Sequence, residues 1–180
     1  MSNRLQQKYL EEVQPKLMAE FNITNKMATP KLSKIIISIG LGEAKENAAV
    51  LDKARAYVKS LSGQTPVVTL AKKSIASFKV GKGQTVGMMV TLRGDKMYAF
   101  LDKFINIVLP KVRDFRGLSL KSFDSQGNLN IGLREQTIFP EVDYKDVDKV
   151  RGLAVTIVAD AKNKEQSQKL LEYLGMPFRS

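Results

Sequence analysis

The residues best suited to chemistry are the cations of one acid-free segment. From Lys53 to Gly94 the chain has eight Lys and Arg residues and no Asp or Glu. Within this segment two β-type runs, 64–71 and 84–93, flank a lysine-rich stretch. Its lysines are Lys72, Lys73, Lys79 and Lys82. Because no carboxylate is close in sequence to pair with them, these cations predict contact with a polyanion such as a nucleic acid.

Two glycine motifs raise nucleotide binding as an alternative. Gly40 and Gly42 lie between a predicted strand and a predicted helix, but Lys45 stands where a dinucleotide fingerprint needs its third glycine. Gly81 and Gly83 enclose a lysine, yet they lack the spacing of a phosphate-binding loop and lead into a strand. A strand-to-helix turn and a non-specific phosphate contact are therefore the better interpretations.

A catalytic Ser–Lys pair and a metal site are two further alternatives, and the sequence favours neither. Ser74 or Ser77 beside Lys73 has the residue types of a Ser–Lys pair, but an activated lysine needs a desolvated site rather than a polar loop. The acids of residues 141–148 do not have the spacing of a calcium loop, so a solvated face or a basic protein partner is favoured. An RNA-modifying enzyme is thus the weaker alternative to a non-catalytic RNA-binding protein.

Composition narrows the function further. The chain of 180 residues has a net charge of +11, a pI near 9.8, and neither cysteine nor histidine. These counts exclude disulfides, Cys or His zinc sites and the usual neutral-pH general base. The N-terminus lacks the apolar core of a signal peptide, and no run approaches the roughly 20 apolar residues of a membrane span. We expect one soluble domain, 1–180, in a cytosol-type compartment, without cofactor or metal.

Hydrophobic periodicity predicts an α+β fold with a mostly antiparallel sheet. The predicted helices cover residues 3–21, 48–61, 95–109 and 165–174, and the predicted strands 31–41, 64–71, 84–93, 129–133 and 153–159. In the first strand Ile35, Ile37 and Ile39 should point to one side and Lys34, Ile36 and Ser38 to the other, so one face belongs to the core and the other is mixed. Threonines of the next two strands and Arg93 could share a polar sheet surface, which suits ribose, phosphate and base-edge contacts.

Six segments resemble, in order and spacing, one family of ribosomal proteins. They are KLSKIIISIGLGEA, GQTPVVTLAKKSIASFKVGKG, VTLRGDKMYAFLDKF, LPKVRDFRGL, REQTIFPEVDYKDVDKVRGL and LLEYLGMPF. Together they resemble the bacterial large-subunit protein L-five family, which binds 5S ribosomal RNA in the central protuberance. The resemblance runs from about Lys8 to Phe178 and implies a structural ribosomal protein without catalytic activity.

The resemblance also implies where RNA would bind. The family has a curved antiparallel sheet with helices on one face, and 5S rRNA lies against the other face. The matching rRNA-binding candidates are Lys34, Ser38, Gln64, Thr65, Thr69, Thr91 and Arg93. A long basic hairpin loop, 72–83 here, reaches the elbow of the P-site transfer RNA in the family. The matching tRNA-binding candidates are Lys72, Lys73, Ser74, Ser77, Lys79 and Lys82.

Protein partners are implied by two further segments. LPKVRDFRG and the acidic FPEVDYKD resemble the side that meets small-subunit protein S-thirteen, as a bridge between subunits. The candidate residues are Lys111, Arg113, Glu141, Asp143, Asp146 and Asp148. The other implied partners are 23S rRNA and neighbouring central-protuberance proteins, with no membrane and no small-molecule substrate.

Overall fold

The computed structural model describes residues 3–45, 48–142, 147 and 149–179. The α-helices are α1 (Arg4–Lys8), α2 (Gln14–Glu20), α3 (Ala48–Ser62), α4 (Gly94–Lys103), α5 (Leu109–Lys111) and α6 (Lys164–Leu174). Short 3₁₀ turns cover Lys26–Ala28, Gly42–Lys45, Ala76–Phe78, Leu120–Ser122 and Gln136–Ile138. The helices predicted from the 3.6-residue period are therefore present, with α1 and α2 together forming the first.

Two helices pass through a wider, π-helical turn just before a proline. Tyr9–Val13 joins α1 to α2 ahead of Pro15, and Phe104–Val108 joins α4 to α5 ahead of Pro110. In each turn the first carbonyl accepts from the amide five residues later. A proline has no N–H to give to the carbonyl four residues earlier, and the wider turn lets the helix continue past it. The first helix thus changes its type ahead of Pro15 and continues past it.

Among the described residues, five strands form one antiparallel sheet, which confirms the α+β class. They are β1 (Lys31–Gly40), β2 (Val67–Leu70), β3 (Thr85–Leu92), β4 (Leu129–Leu133) and β5 (Leu153–Asp160). Their order across the sheet is β2-β3-β1-β5-β4. The alternating burial along β1, β4 and β5 puts one side of each strand in the core, as the two-residue period predicts.

β2 is shorter than the sequence predicts, because the chain makes a capped turn before it. Gly63 adopts a positive φ of 64°, and Ser62 Oγ donates to the carbonyl oxygens of Val58 and Gln64 at 2.6 and 3.0 Å. Pro66 then follows, and it has no N–H for a strand ladder. Gln64 and Thr65 therefore lie in the approach to β2 and outside the strand itself.

The structure divides into two compact units, each built from separate stretches of chain. The first unit comprises residues 1–35, 92–131 and 156–180, and the second comprises 36–91 and 132–155. Buried apolar residues of the first include Leu5, Tyr9, Val13, Leu17, Met97, Leu101, Phe104, Val108, Leu170, Leu171 and Leu174. Those of the second include Ile37, Ile39, Leu41, Ala54, Val58, Leu61, Met88, Val90, Phe139, Val142 and Val155. The predicted single domain stays a prediction.

Candidate nucleic-acid interface

In the second unit, β1, β2 and β3 present a mixed set of side chains on the side opposite the core, and three of them carry hydroxyl groups. Ser38 is half-buried between the buried Ile37 and Ile39, and Thr91 is half-buried beside the buried Val90. On β2, Thr69 is also half-buried. We call this surface the open face and define it by Ser38, Thr69, Met89 and Thr91.

The strand register brings the open-face residues of β2 and β3 together. Val67 is opposite Met89 and Thr69 is opposite Gly87, in an antiparallel pairing with a bulge after Thr69. Residues directly opposite in a sheet share a face, and so do residues two apart along a strand. Thr69 and Thr91 therefore lie on the same face, as the sequence predicts.

At Gly87, the backbone of β3 passes close to the backbone of β1. A Cβ atom added there would lie 2.3 Å from the Ile39 carbonyl oxygen and 3.3 Å from Thr69 Oγ1. The Ile39 carbonyl belongs to the backbone of β1 and cannot move away without shifting that strand, so only glycine fits at this position. This glycine lets the chain pass close to the backbone of β1 beside the bulge.

Two of the rRNA-binding candidates belong to the first unit. Lys34 is half-buried on β1, and Arg93 is exposed in an extended conformation immediately before α4. In the same unit, Thr156 Oγ1 donates to Asn130 Oδ1 at 2.8 Å, joining β5 to β4 on the non-core side. The sequence interpretation identified both strands but named neither residue. The signal was present, because both alternate with buried aliphatic neighbours.

The lysine-rich segment between β2 and β3, residues 71–84, has a hydrogen-bonded backbone. At its base, the Ala71 N–H donates to the Gln84 carbonyl at 2.8 Å, and the Gly83 N–H donates to the Ala71 carbonyl at 2.9 Å. Further out, Ile75 and Val80 exchange two backbone hydrogen bonds of 2.8 and 3.2 Å. We call residues 72–83 the tip. The sequence predicts a lysine-rich loop here, and the structure adds an internal ladder of backbone hydrogen bonds.

Two side chains complete the fold of the tip. Ser74 Oγ accepts from the Lys82 N–H at 2.9 Å, and Gln84 Oε1 accepts from the Gly81 N–H at 2.8 Å. Lys79 takes a left-handed conformation with φ of 49° where the chain reverses. Ser74 thus has a structural contact, which agrees with rejecting it as a nucleophile.

The tip presents its cations and two apolar side chains to the surface. Its lysines and Ser77 are exposed: Lys72, Lys73, Ser77, Lys79 and Lys82. Ile75 is 46% exposed and Phe78 is 70% exposed. Their exposure favours contact with a partner, since an aromatic ring gains by leaving water.

The candidate protein-partner residues fall in two places. Lys111 ends α5 and is exposed, as is Arg113, both in the first unit. Glu141 is half-buried in the second unit. The predicted contacts Asp143, Asp146 and Asp148 lie outside the described residues.

A group of polar side chains that sequence reasoning missed closes the segment between β4 and β5. Glu43 Oε1 accepts a hydrogen bond from Lys149 Nζ, and its Oε2 lies 3.3 Å from an Arg151 guanidinium nitrogen. The hydrogen bond from Lys149, reinforced by Arg151, holds the pKa of Glu43 below its ordinary value of 4.5. Gln136 is fully buried and bonds to the backbone at both Lys149 and Arg151.

Other polar features of the described residues include one groove. A groove of about 460 Å³ in the first unit is lined partly by Arg4, Lys8, Glu11 and Asp102, but Arg4 and Asp102 pair with each other at 2.7 Å. Across the residues that the structure describes, no three His, Cys, Asp or Glu side chains come together as metal ligands. Of the described helices, none is long and apolar enough to cross a membrane.

Two family models and many known proteins match this chain. The model for ribosomal protein L5 matches residues 25–80, and that for the C-terminus of the ribosomal L5P family matches residues 85–178. Proteins named large ribosomal subunit protein uL5 match almost end to end. The one from Carboxydothermus hydrogenoformans is 58% identical, covering 97% of this chain and 98% of its own. Those from a Roseiflexus species and Brevibacillus brevis are 55% and 53% identical, covering 99% of both chains.

A polar sheet surface, an acid-free basic tip and these matches define a structural protein of the ribosome. The chain belongs to the ribosomal protein L5 family, whose members are constituents of the large ribosomal subunit. This family is not enzymatic, so the alternative of an RNA-modifying enzyme is wrong. The partners of this protein therefore include the ribosome and the rRNA of the ribosome. The protein is located in the cytoplasm, as a component of the ribosome.

Proposed function

We propose that the protein attaches 5S rRNA in the central protuberance by binding it on the open face. The observation that carries this proposal is the alternation of β1 and β3, in which buried aliphatic residues leave Ser38 and Thr91 on the opposite side. Thr69 joins them through the register of β2. Hydroxyl groups on a sheet can bond to 2′-hydroxyls and phosphates without demanding one sequence.

Cations supply the long-range attraction for this contact. Lys34 and Arg93, in the first unit, and Gln64 and Thr65, in the approach to β2, remain proposed rRNA contacts. The net charge of +11 favours release of counterions from RNA, so affinity should fall steeply as salt rises. Contacts with 23S rRNA and with neighbouring central-protuberance proteins complete the proposed attachment.

The tip is proposed as a second and separate RNA contact, to the elbow of the P-site transfer RNA. Its lysines are exposed and no carboxylate occurs in that part of the sequence. The exposed Phe78 and Ile75 offer surfaces on which a base or ribose can pack. Ser74 serves the tip by holding Lys82, and Ser77 is available for a polar contact.

The third element is a bridge to the small subunit. The acidic residues around Glu141 suit a basic protein, and S-thirteen is the proposed partner. Lys111 and Arg113 of this chain are also proposed to contact S-thirteen. Complementary charges would steer the two surfaces together and fix their orientation more than they would add affinity.

The experiment for the 5S contact replaces hydroxyls while keeping side-chain shape. In the full chain, the double variant Thr69→Val/Thr91→Val should weaken 5S rRNA binding about tenfold, since each lost hydrogen bond is worth about 0.5–1.5 kcal/mol. Thr24→Val, at an exposed threonine outside any strand, is the matched control and should bind like the wild type. Wild-type affinity in the double variant would overturn the proposal.

A further inference from the structure

The open face carries an apolar pair among its hydroxyl groups. Val67 on β2 lies directly opposite Met89 on β3, and both residues belong to the second unit. Val67 is 66% exposed and Met89 is half-buried, so both leave apolar surface in contact with water. We call these two residues the platform. Aliphatic surface of this kind gains free energy when a partner covers it.

Hydroxyl groups flank the platform. Thr91 is two residues beyond Met89 on β3, and Thr69 is two residues beyond Val67 on β2, so all four side chains share one face. A Cβ atom at Gly87 would lie 3.3 Å from Thr69 Oγ1, which puts that hydroxyl over the glycine next to Met89. A ligand that covers the platform therefore also meets hydroxyl groups.

The charges around the platform favour a polyanion. The chain from Lys53 to Gly94, which includes β2 and β3, has eight Lys and Arg residues and no Asp or Glu. An apolar protein surface would match the platform but leave the hydroxyls and cations without partners. An RNA nucleotide offers a flat base, a 2′-hydroxyl and a phosphate, so it can match all three.

The platform distinguishes between two kinds of RNA structure. In a regular duplex the base faces are stacked on one another, and a protein meets mostly phosphates and 2′-hydroxyls. Such polar groups gain little from an exposed valine and methionine. An unpaired nucleotide exposes the flat face of its base, on which side chains can pack. The flexible thioether of Met89 can follow a flat ring, and its sulfur makes favourable contacts with aromatic systems.

We propose that Val67 and Met89 pack against the face of an unpaired nucleobase, so that the open face selects RNA with a looped-out nucleotide over a regular duplex. The inference rests on the proposed 5S contact and names the feature of that RNA which the open face recognises. The hydroxyls of Thr69 and Thr91 then bind sugar and phosphate groups beside that base.

A double substitution that keeps side-chain size tests the platform in the full chain. Val67→Thr/Met89→Gln should weaken 5S rRNA binding about fivefold, because polar groups replace the apolar contact. Binding to a regular RNA duplex of equal length should be unchanged, which also shows that the variant is folded. Unchanged 5S binding, or an equal loss with both RNAs, would overturn the proposal.

The matched control makes the same two substitutions elsewhere in the chain. Val150→Thr/Met27→Gln changes a valine that is 56% exposed and a methionine that is 78% exposed. Neither residue lies in a strand. This control should bind both RNAs like the wild type, and a loss of 5S binding equal to that of the platform variant would contradict a specific role for Val67 and Met89.

Abasic scanning of the 5S rRNA tests whether a base is the ligand of the platform. Removing the base of one unpaired nucleotide should weaken wild-type binding about fivefold. The same removal should not weaken binding further in Val67→Thr/Met89→Gln, because each change deletes the same contact. The absence of any such nucleotide, or losses that add, would overturn the proposal.

The 5S contact and the base contact fail in distinguishable ways. If Thr69→Val/Thr91→Val binds 5S rRNA like the wild type, the proposed 5S contact on the open face is wrong. If that variant binds more weakly while Val67→Thr/Met89→Gln does not, the open face binds 5S rRNA without recognising a base on the platform.

Discussion

The tip and the segment that connects β4 to β5, residues 134–152, are two long connections of the second unit that are held in different ways. We call the second one the neck segment, and its base, where Glu43, Gln136, Lys149 and Arg151 meet, the neck. The tip carries exposed lysines on a frame of backbone hydrogen bonds and one serine, and its sequence has no acidic residue. The neck is held by a buried glutamine and by an arginine that pairs with Glu43. Backbone hydrogen bonds therefore hold the tip, whereas buried side chains hold the neck.

The largest expected difference between the two regions concerns their phenylalanines. Phe139→Ala in the neck segment should lower the free energy of unfolding by about 3–5 kcal/mol, because the ring is fully buried. Phe78→Ala in the tip should change it by less than about 0.5 kcal/mol, because that ring is 70% exposed. Urea denaturation of both variants measures the contrast. Similar losses would mean that the tip is packed in solution.

A smaller contrast is expected for two glutamines that each bond to backbone. Gln136→Leu should cost about 2–4 kcal/mol of unfolding free energy, since it leaves two buried backbone groups without a partner. Gln84→Leu removes an exposed bond to the Gly81 N–H, which water can replace, and should cost less than about 1 kcal/mol. The same denaturation experiment applies, and equal costs would show that burial does not distinguish the two.

The smallest effect is expected from acid. The pKa of Glu43 is lowered in the folded protein by Lys149 and Arg151, so its ion pairs stabilise the neck above the ordinary pKa of 4.5. That stabilisation should be lost as the pH falls through the lowered pKa, which places the change below about pH 4.5. Hydrogen exchange of the Arg151 amide, corrected for its intrinsic pH dependence, should rise there in the wild type. The corrected exchange rate should not change with acid in Glu43→Gln. An equal rise in that variant would contradict the assignment of the pH effect to Glu43.

Local periodicity was enough to predict the strands and the open face. Ile35, Ile37 and Ile39 alternate with Lys34 and Ser38, and the structure buries the isoleucines as expected. Such patterns report on neighbours two or four residues apart, which is the range over which backbone geometry repeats. The start of β2 was harder to predict, because it depends on Ser62 and Pro66 rather than on hydrophobicity.

Contacts distant in sequence could not be predicted this way. Glu43 and Arg151 are 108 residues apart, and nothing in either local sequence indicates the other. The hydrogen bond from the Lys82 N–H to Ser74 Oγ likewise becomes visible only once the chain is known to reverse at Lys79. The resemblance of six segments to one family supplied the function that periodicity alone did not, and the family matches bear out its membership.

We propose that one hairpin contacts two RNAs through separate surfaces. Replacing all four lysines of the tip with alanine tests it, in large subunits reconstituted with the full-length variant. A control variant replaces the exposed lysines Lys53, Lys59, Lys121 and Lys162. The account predicts that the tip variant binds 5S rRNA within about twofold of the control, while P-site tRNA binds about tenfold more weakly and with a shallower salt dependence. Equal loss of both RNAs would contradict it.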